Sequence, residues 1–381
     1  MKSSLTVVVA LLSGLFAAVA VASSPVPRPP SISTDAHILI DADTGRVLAE
    51  HNADKHLGPA SLTKIMTAYV VYSALEDDRI RFDDQVTVSE DAWRMGGSRM
   101  FLEVGTEVNV DDLLDGMVIQ SGNDASLSLA EHTAGSEDAF VELMNTYAER
   151  LGLQNSHFAN SHGMPHPEQY TSARDMAKLA RALIREFPEH YERYSQREFS
   201  YNGITQHNRN QLLWSDDSVD GVKTGYTSES GYALVSSAER DGMRLISVVM
   251  GSNSVQQRTT DSRSMLNWGF RFFATDTIYA VGDTIDETRL WEGVQDTLAL
   301  GPSEALVVTV PQGDYDDLVA TLHLDGPAVA PVEAGETLGR VTITHGDEEI
   351  ATVPVVALED VERAGLFGRL IDRARHWFEE L

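Results

Sequence analysis

The sequence predicts an α/β (α+β) fold: an antiparallel sheet with a helical cluster beside it, followed by a small all-β domain and a terminal amphipathic helix. Three observations carry this. Apolar runs with helical spacing fill the middle of the first 270 residues, with strand-like runs on either side. Near Thr275 the character changes to short valine- and threonine-rich stretches cut by Gly, Pro and Asp. The last twenty residues have one apolar face. A length of 381 residues is too great for one ordinary domain.

Taken in order, the elements read as follows. Ala36–Asp41 and Val47–Glu50 flank Ala42-Asp43-Thr44-Gly45 and predict a β-hairpin. Ser61 to Leu75 is apolar and rich in helix formers, with Pro59 and Ser61 at its start. Ser126–Thr133, Glu137–Leu151 and Thr171–Phe187 are further helices. Gly231–Ala238 and Arg244–Gly251 are strands joined by the turn Arg240-Asp241-Gly242, and Val255–Phe273 is again helical. The later strands include Ala305–Val310, Leu318–Leu324 and Gly339–Thr344.

The domain boundaries expected are 1–22 signal peptide, 23–34 proline-rich spacer, 35–273 catalytic domain, 274–358 β-domain and 362–381 terminal helix. Leu5–Ala22 is apolar and ends in Ala20-Val21-Ala22, a small-x-small cleavage site, which predicts secretion. The competing reading is an uncleaved anchor of near-spanning length.

Composition excludes several classes. With no cysteine there is no disulfide, thiolate metal site or cysteine nucleophile. Acids outnumber bases 58 to 29, for a net charge of -29, which argues against a nucleic-acid partner. Five of the 29 basic residues are lysines; many acids with few lysines suggests a salt-adapted source.

Three short motifs carry chemistry. In Ser61-Leu62-Thr63-Lys64, residues three apart share a helix face, so hydroxyl and amine can meet. Serine needs an adjacent base, and lysine serves only if burial or a neighbouring cation lowers its pKa. A helix N-terminus would also bring backbone N–H groups to the reacting oxygen. Ser121-Gly122-Asn123 offers a hydroxyl and an amide in a loop, to relay a proton or hold a carbonyl. Lys223-Thr224-Gly225 reads as a strand edge with a cation, a hydroxyl and a glycine that lets substrate approach. Each motif alone is also consistent with a cap or turn. His157, His162 and His166 near Glu168 are open to a zinc-peptidase reading, but lack H-E-x-x-H and lie in a Gly/Pro loop, where solvated histidines are the simpler reading.

S-x-x-K, S-x-N and K-T-G in this order form the motif set of serine penicillin-binding proteins and class A β-lactamases. The stretches PASLTKIMTAYV, GGSRMFLEVG, IQSGNDASLSLAEHTAGS, GITQHNRNQLLW and DGVKTGYTSESGYALVSSAERDG extend the match. The chain resembles low-molecular-mass penicillin-binding proteins, the D-alanyl-D-alanine carboxypeptidases of the penicillin-binding protein 5/6 type, closely over Asp35–Phe273. The resemblance implies a serine β-lactamase/DD-peptidase-like fold that removes the terminal D-alanine of peptidoglycan stem pentapeptides through an acyl-enzyme and is inhibited by β-lactams. It needs no metal or cofactor.

By the same resemblance Ser61 is the nucleophile, Lys64 its base, and Ser121 and Asn123 complete the proton network. Lys223 and Thr224 of the K-T-G motif take the terminal carboxylate, and Gly225 lets the substrate approach; Ser61 and Tyr226 give the oxyanion N–H groups; Arg209 and Arg258 orient the carboxylate or else form structural salt bridges. Tyr226 departs from the His often found there. Glu142 and Glu168 are weighed as deacylation bases, with neither favoured. Other readings are a DD-endopeptidase or β-lactamase on the same scaffold, and a non-catalytic wall-binding protein. Glu362–Leu381 is expected to lie in a membrane interface, placing the mature protein in the periplasm on the outer face of the inner membrane.

Overall fold

The structure is a computed structural model that describes residues 26–366 and the backbone of Thr6–Val8. The described residues form two compact units, one spanning Pro27–Arg271 and the other built mainly from Phe272 onward.

The first unit is organised around a five-stranded antiparallel sheet. Its strands in chain order are β1 (Ala36–Asp41), β2 (Val47–His51), β3 (Val219–Thr227), β4 (Gly231–Arg240) and β5 (Met243–Ser252), and its spatial order is β2-β1-β5-β4-β3. The hairpin β1–β2 and the turn joining β4 to β5 fall where the sequence places them. All six residues of β1 are buried, which explains its nearly unbroken apolar run: a central strand covered on both faces has no wet side. One face packs on α5 (Ala173–Glu186). Against the other lies α6 (Val255–Phe272), where a Cβ on Gly269 would stand 2.5 Å from Leu245 and 2.8 Å from Leu39. β2 and β3 are the edge strands, and β3 pairs on one side only.

The helical cluster surrounds α1 (Thr63–Glu76), of whose residues Thr63 to Tyr72 are all buried. Apolar on every side, it is the core element that its sequence suggests. Around it stand α2 (Val110–Val118), α3 (Asn123–Ala134) and α4 (Glu137–Arg150). Ser136 and Ser172 cap α4 and α5 by accepting N–H bonds from Ala139 and Asp175, which sets the starts of both helices. α2 was not anticipated; Asp111, Asp112 and Asp115 mask its apolar face in the sequence, and Asn109 caps it through the Asp112 N–H.

The second unit is all-β. A seven-stranded sheet runs in the order Thr6–Val8, Leu318–Leu324, Thr337–His345, Glu348–Ala357, Thr297–Pro302, Asp286–Trp291 and Ala328–Val329. A separate pair, Phe273–Tyr279 with Leu306–Pro311, shares its core of Leu298, Leu300, Val308, Val341 and Val355. Two sequence expectations concern the chain ends. Of the terminal helix expected from Glu362, residues 367–381 lie outside the described residues. Glu362–Ala364 are extended rather than helical, held to the β-domain by Ala364 N–H to Glu292 O and Arg363 Nε to Ala330 O. The expected signal peptide lies outside the described residues except for the edge strand Thr6–Val8.

Candidate active site

Ser61 sits in a single 3₁₀ turn, Ala60–Leu62, that leads directly into α1, so the helix proper begins two residues later than the sequence suggests. The turn is strained and buttressed. Ala60 has φ +47°, its carbonyl accepts from Thr63 Oγ1 at 2.8 Å, and Gln169 Nε2 donates to that same hydroxyl at 3.2 Å. Gly163 crosses so close that a Cβ there would stand 1.9 Å from the Ala60 oxygen, and its φ is +89°. Only glycine fits that crossing.

One turn along α1, Lys64 is buried with its Nζ among three oxygens. It donates to Asn123 Oδ1 at 2.7 Å, to Ser61 Oγ at 3.3 Å and to the carbonyl oxygen of His162. None of these is a carboxylate. Burial, with the charge of Arg209 in support and against the pull of Asp124, lowers the Lys64 pKa from 10.5 to about 7. This meets the condition that the sequence sets for a lysine base.

Asn123 opens α3 and is fixed at every polar atom. Its Nδ2 donates to Gly96 O at 2.7 Å, its N–H donates to Ser98 O at 2.7 Å, and its Oδ1 receives Lys64. Ser121, expected in a loop, occupies the left-handed region at φ +68°, and its buried Oγ has no hydrogen-bond partner among the described residues. Strain and an orphaned hydroxyl together mark a functional position.

The third motif occupies the free edge strand β3. Thr224, Gly225 and Tyr226 line the cleft, while Lys223 is buried beneath them with Nζ 3.3 Å from Thr224 O. Burial, then the charges of Lys64, Arg209 and Arg258, push the Lys223 pKa well below its ordinary value. Gly225 has a second use besides its place on the cleft wall. A Cβ there would lie 3.1 Å from Pro59 O and 3.3 Å from Leu62 Cγ, so the glycine also admits the nucleophile's turn.

Arg209 and Arg258 both line the cleft. Arg258 is buried; its Nη1 donates to Gly225 O at 3.0 Å and Ala233 O at 3.2 Å, with the guanidinium 5.6 Å from the Tyr232 ring. The cleft has a volume of about 1160 Å³, and Trp214, His207 and Tyr226 form part of its wall. Among the described residues no carboxylate lines it, in a chain of net charge -29.

Two groups were missed in the sequence. Asp124 follows a motif residue but reads as an ordinary helix N-terminal acid. It is buried, and its carboxylate accepts N–H bonds from Met100, Phe101, Leu102 and Ala125 at 3.0–3.2 Å, pinning the strip after Gly96-Gly97 beside Asn123. The second is His162, whose carbonyl receives Lys64. It is buried rather than solvated, and its ring accepts from Met164 N–H and lies 3.5 Å from Glu137.

The three histidines do not converge: the ring nitrogens of His157 and His166 pair with backbone atoms of Glu168. Among the described residues the one group with metal-ligand spacing is Asp314, Asp317 and His345, in the β-domain. Glu142 is exposed on α4, and Glu168 is exposed in its loop.

A serine approached by a buried lysine with a lowered pKa, between a helical cluster and a free sheet edge, defines a serine hydrolase working by acyl transfer. The particular family follows from comparison. The chain belongs to the D-alanyl-D-alanine carboxypeptidases of peptidase family S11, whose profile matches residues 13–254; residues 273–363 match the C-terminal domain of penicillin-binding protein 5. It is 45% identical to the D-alanyl-D-alanine carboxypeptidase DacC of Escherichia coli, over 96% of this chain and 94% of that one. It is 42% identical to DacA of the same organism over 93% and 91%. Among solved structures it resembles penicillin binding protein 5 from Haemophilus influenzae, with TM-score 0.83 and 40% identity, covering 88% of this chain and 100% of that one. Penicillin-Binding Protein D2 of Listeria monocytogenes, solved in a form with ampicillin bound, aligns at TM-score 0.59 and 29% identity over 64% of this chain and all of that one.

Proposed function

We propose that this chain is a serine-type D-Ala-D-Ala carboxypeptidase that removes the terminal D-alanine from peptidoglycan stem pentapeptides and so limits cross-linking. Membership of the family supports the activity. The observation that carries the mechanism is Lys64, buried, with a pKa of about 7 and its Nζ on Ser61 Oγ.

A neutral lysine has two N–H bonds and one lone pair. Asn123 Oδ1 and the His162 carbonyl can only accept, so they take the two hydrogens and leave the lone pair to face Ser61 Oγ. Ser61 Oγ attacks the carbonyl carbon of the penultimate D-alanine as its proton passes to Lys64. The tetrahedral oxyanion lies between the Ser61 and Tyr226 N–H groups. When the C–N bond breaks, Ser121 Oγ hands the proton from Lys64 to the departing D-alanine nitrogen, leaving an ester on Ser61. Water then attacks the ester, the carboxylic acid leaves, and Ser61 recovers its proton. Lys223 and Thr224 hold the terminal carboxylate at the strand edge, with Arg209 on the cleft wall.

Binding of β-lactams at Ser61 follows from the same chemistry, and the ampicillin-bound relative supports it. The proposed location is the periplasm, on the outer face of the inner membrane, through a cleaved N-terminal segment and the amphipathic pattern of Glu362–Leu381. Among the described residues no helix is long and apolar enough to cross a membrane. The test is incubation with a peptide ending in D-Ala-D-Ala. Release of one D-alanine per peptide is expected, and its absence with intact, folded protein would overturn the assignment.

A further inference from the structure

The family resemblance casts Arg258 as a partner for the substrate carboxylate, but its hydrogen bonds point elsewhere. Resting on the reading that Ser61 is acylated, we infer that Arg258 is a positioning residue that orients and polarises the Gly225–Tyr226 peptide, and so sets the strength of one oxyanion donor.

The argument begins with the peptide unit. In a trans peptide the C=O of one residue and the N–H of the next point in opposite directions and share one delocalised π-system. Gly225 C=O receives Arg258 Nη1 at 3.0 Å. The Tyr226 N–H of that same peptide therefore points away from the guanidinium. β3 pairs with β4 on one side only, with Gly225 opposite Ala233 and Tyr226 opposite Tyr232. Because Ala233 O also receives Nη1, at 3.2 Å, Arg258 lies on the β4 side of Gly225. In an antiparallel ladder successive residues turn their polar groups to alternate sides, so the Tyr226 N–H faces the unpaired edge of β3. The gap left by the missing Gly225 Cβ brings the turn that carries Ser61 against the strand, with Pro59 O 3.1 Å from the position that Cβ would take.

A cation donating to the carbonyl draws electron density out of the amide nitrogen and makes its hydrogen a better donor. Burial leaves this charge little screened. Among the described residues no carboxylate competes for it: its partners are two carbonyl oxygens and an aromatic face. Tyr232 is the shared brace. Its ring lies under the guanidinium and 4.3 Å from the Tyr226 ring, so Arg258, Tyr232 and Tyr226 form one stack that holds the peptide plane. A carboxylate anchor would need none of this.

The two roles separate experimentally. Arg258→Met keeps the apolar length and removes the charge and donors; Arg258→Lys keeps the charge. Acylation would be followed by stopped-flow with benzylpenicillin and with its methyl ester, which lacks the carboxylate. For Arg258→Met the limiting acylation rate should fall on the order of 10-fold with both probes, a fraction of the roughly 10²–10³-fold cost of deleting a whole oxyanion donor. The half-saturating concentrations should be unchanged, and Arg258→Lys should recover part of the rate. Isotope-edited infrared spectra of the acyl-enzyme should show the ester carbonyl shifted to higher frequency in Arg258→Met, which a purely structural role would not produce. A loss confined to the acid probe, or a wild-type rate and carbonyl frequency in both variants, would overturn the proposal while leaving Ser61 chemistry intact. Failure of wild-type protein to acylate with either probe would instead overturn the functional reading on which it rests. If Arg258→Met does not fold, the Arg258→Lys carbonyl frequency and rate decide the question alone: values equal to wild type would reject it.

Discussion

The pH dependence of acylation follows directly from the burial of Lys64. Moving its pKa from 10.5 to about 7 disfavours the ammonium by about 5 kcal/mol. The neutral base therefore exists above pH 7 and is lost below it. About half the enzyme is competent at pH 7, roughly a tenth at pH 6 and on the order of a hundredth at pH 5. A probe without a carboxylate isolates this titration from Lys223. With benzylpenicillin methyl ester, the logarithm of the acylation rate should rise with unit slope up to pH 7 and level off above it. Arg209 contributes to the lowering and Asp124 opposes it, so Arg209→Gln should move the midpoint to higher pH. A rate flat between pH 5.5 and 8 would show that Lys64 is not the base, and a midpoint near 10 would show that its pKa is not lowered.

Four further outcomes are expected. Gly225→Ala sets a methyl 3.1 Å from Pro59 O and 3.3 Å from Leu62 Cγ, so acylation should slow with little loss of stability, compared by stopped-flow and thermal melting. Asp124→Asn leaves buried N–H groups of residues 100–102 with poorer acceptors and should cost about 2–3 kcal/mol in urea denaturation. Lys223 has a lowered pKa and, among the described residues, no carboxylate partner; a bound carboxylate raises it, so at a pH between the free and the bound pKa binding should take up protons, read by calorimetry in buffers of different ionisation enthalpy. An amidated D-Ala-D-Ala terminus should accordingly lose about 1.5–3 kcal/mol of transition-state binding, and equal kcat/KM for acid and amide would reject the anchor.

What could be read from the sequence was what local pattern determines. The run Ala36–Asp41 gives a strand because the strand is buried on both faces, and α1 gives a helix because it is apolar all round. The three motifs come together because Ser61 and Lys64 lie one turn apart and Asn123 begins the helix packed beside them. Long-range features left no local trace. Asp124 looks like any first-turn acid until the 100–102 strip is folded over it, and His162 contributes a backbone oxygen, which no side-chain pattern encodes. The second use of Gly225 left no trace for the same reason, since the turn it admits is more than 160 residues away in the chain.

The central claim is that Ser61 carries the acyl group. Intact-mass analysis after incubation with benzylpenicillin measures it most directly. The wild-type protein should gain one penicilloyl adduct, located by peptide mapping to Ser61, and Ser61→Ala should gain none. An adduct of the same mass persisting on folded Ser61→Ala would contradict the account.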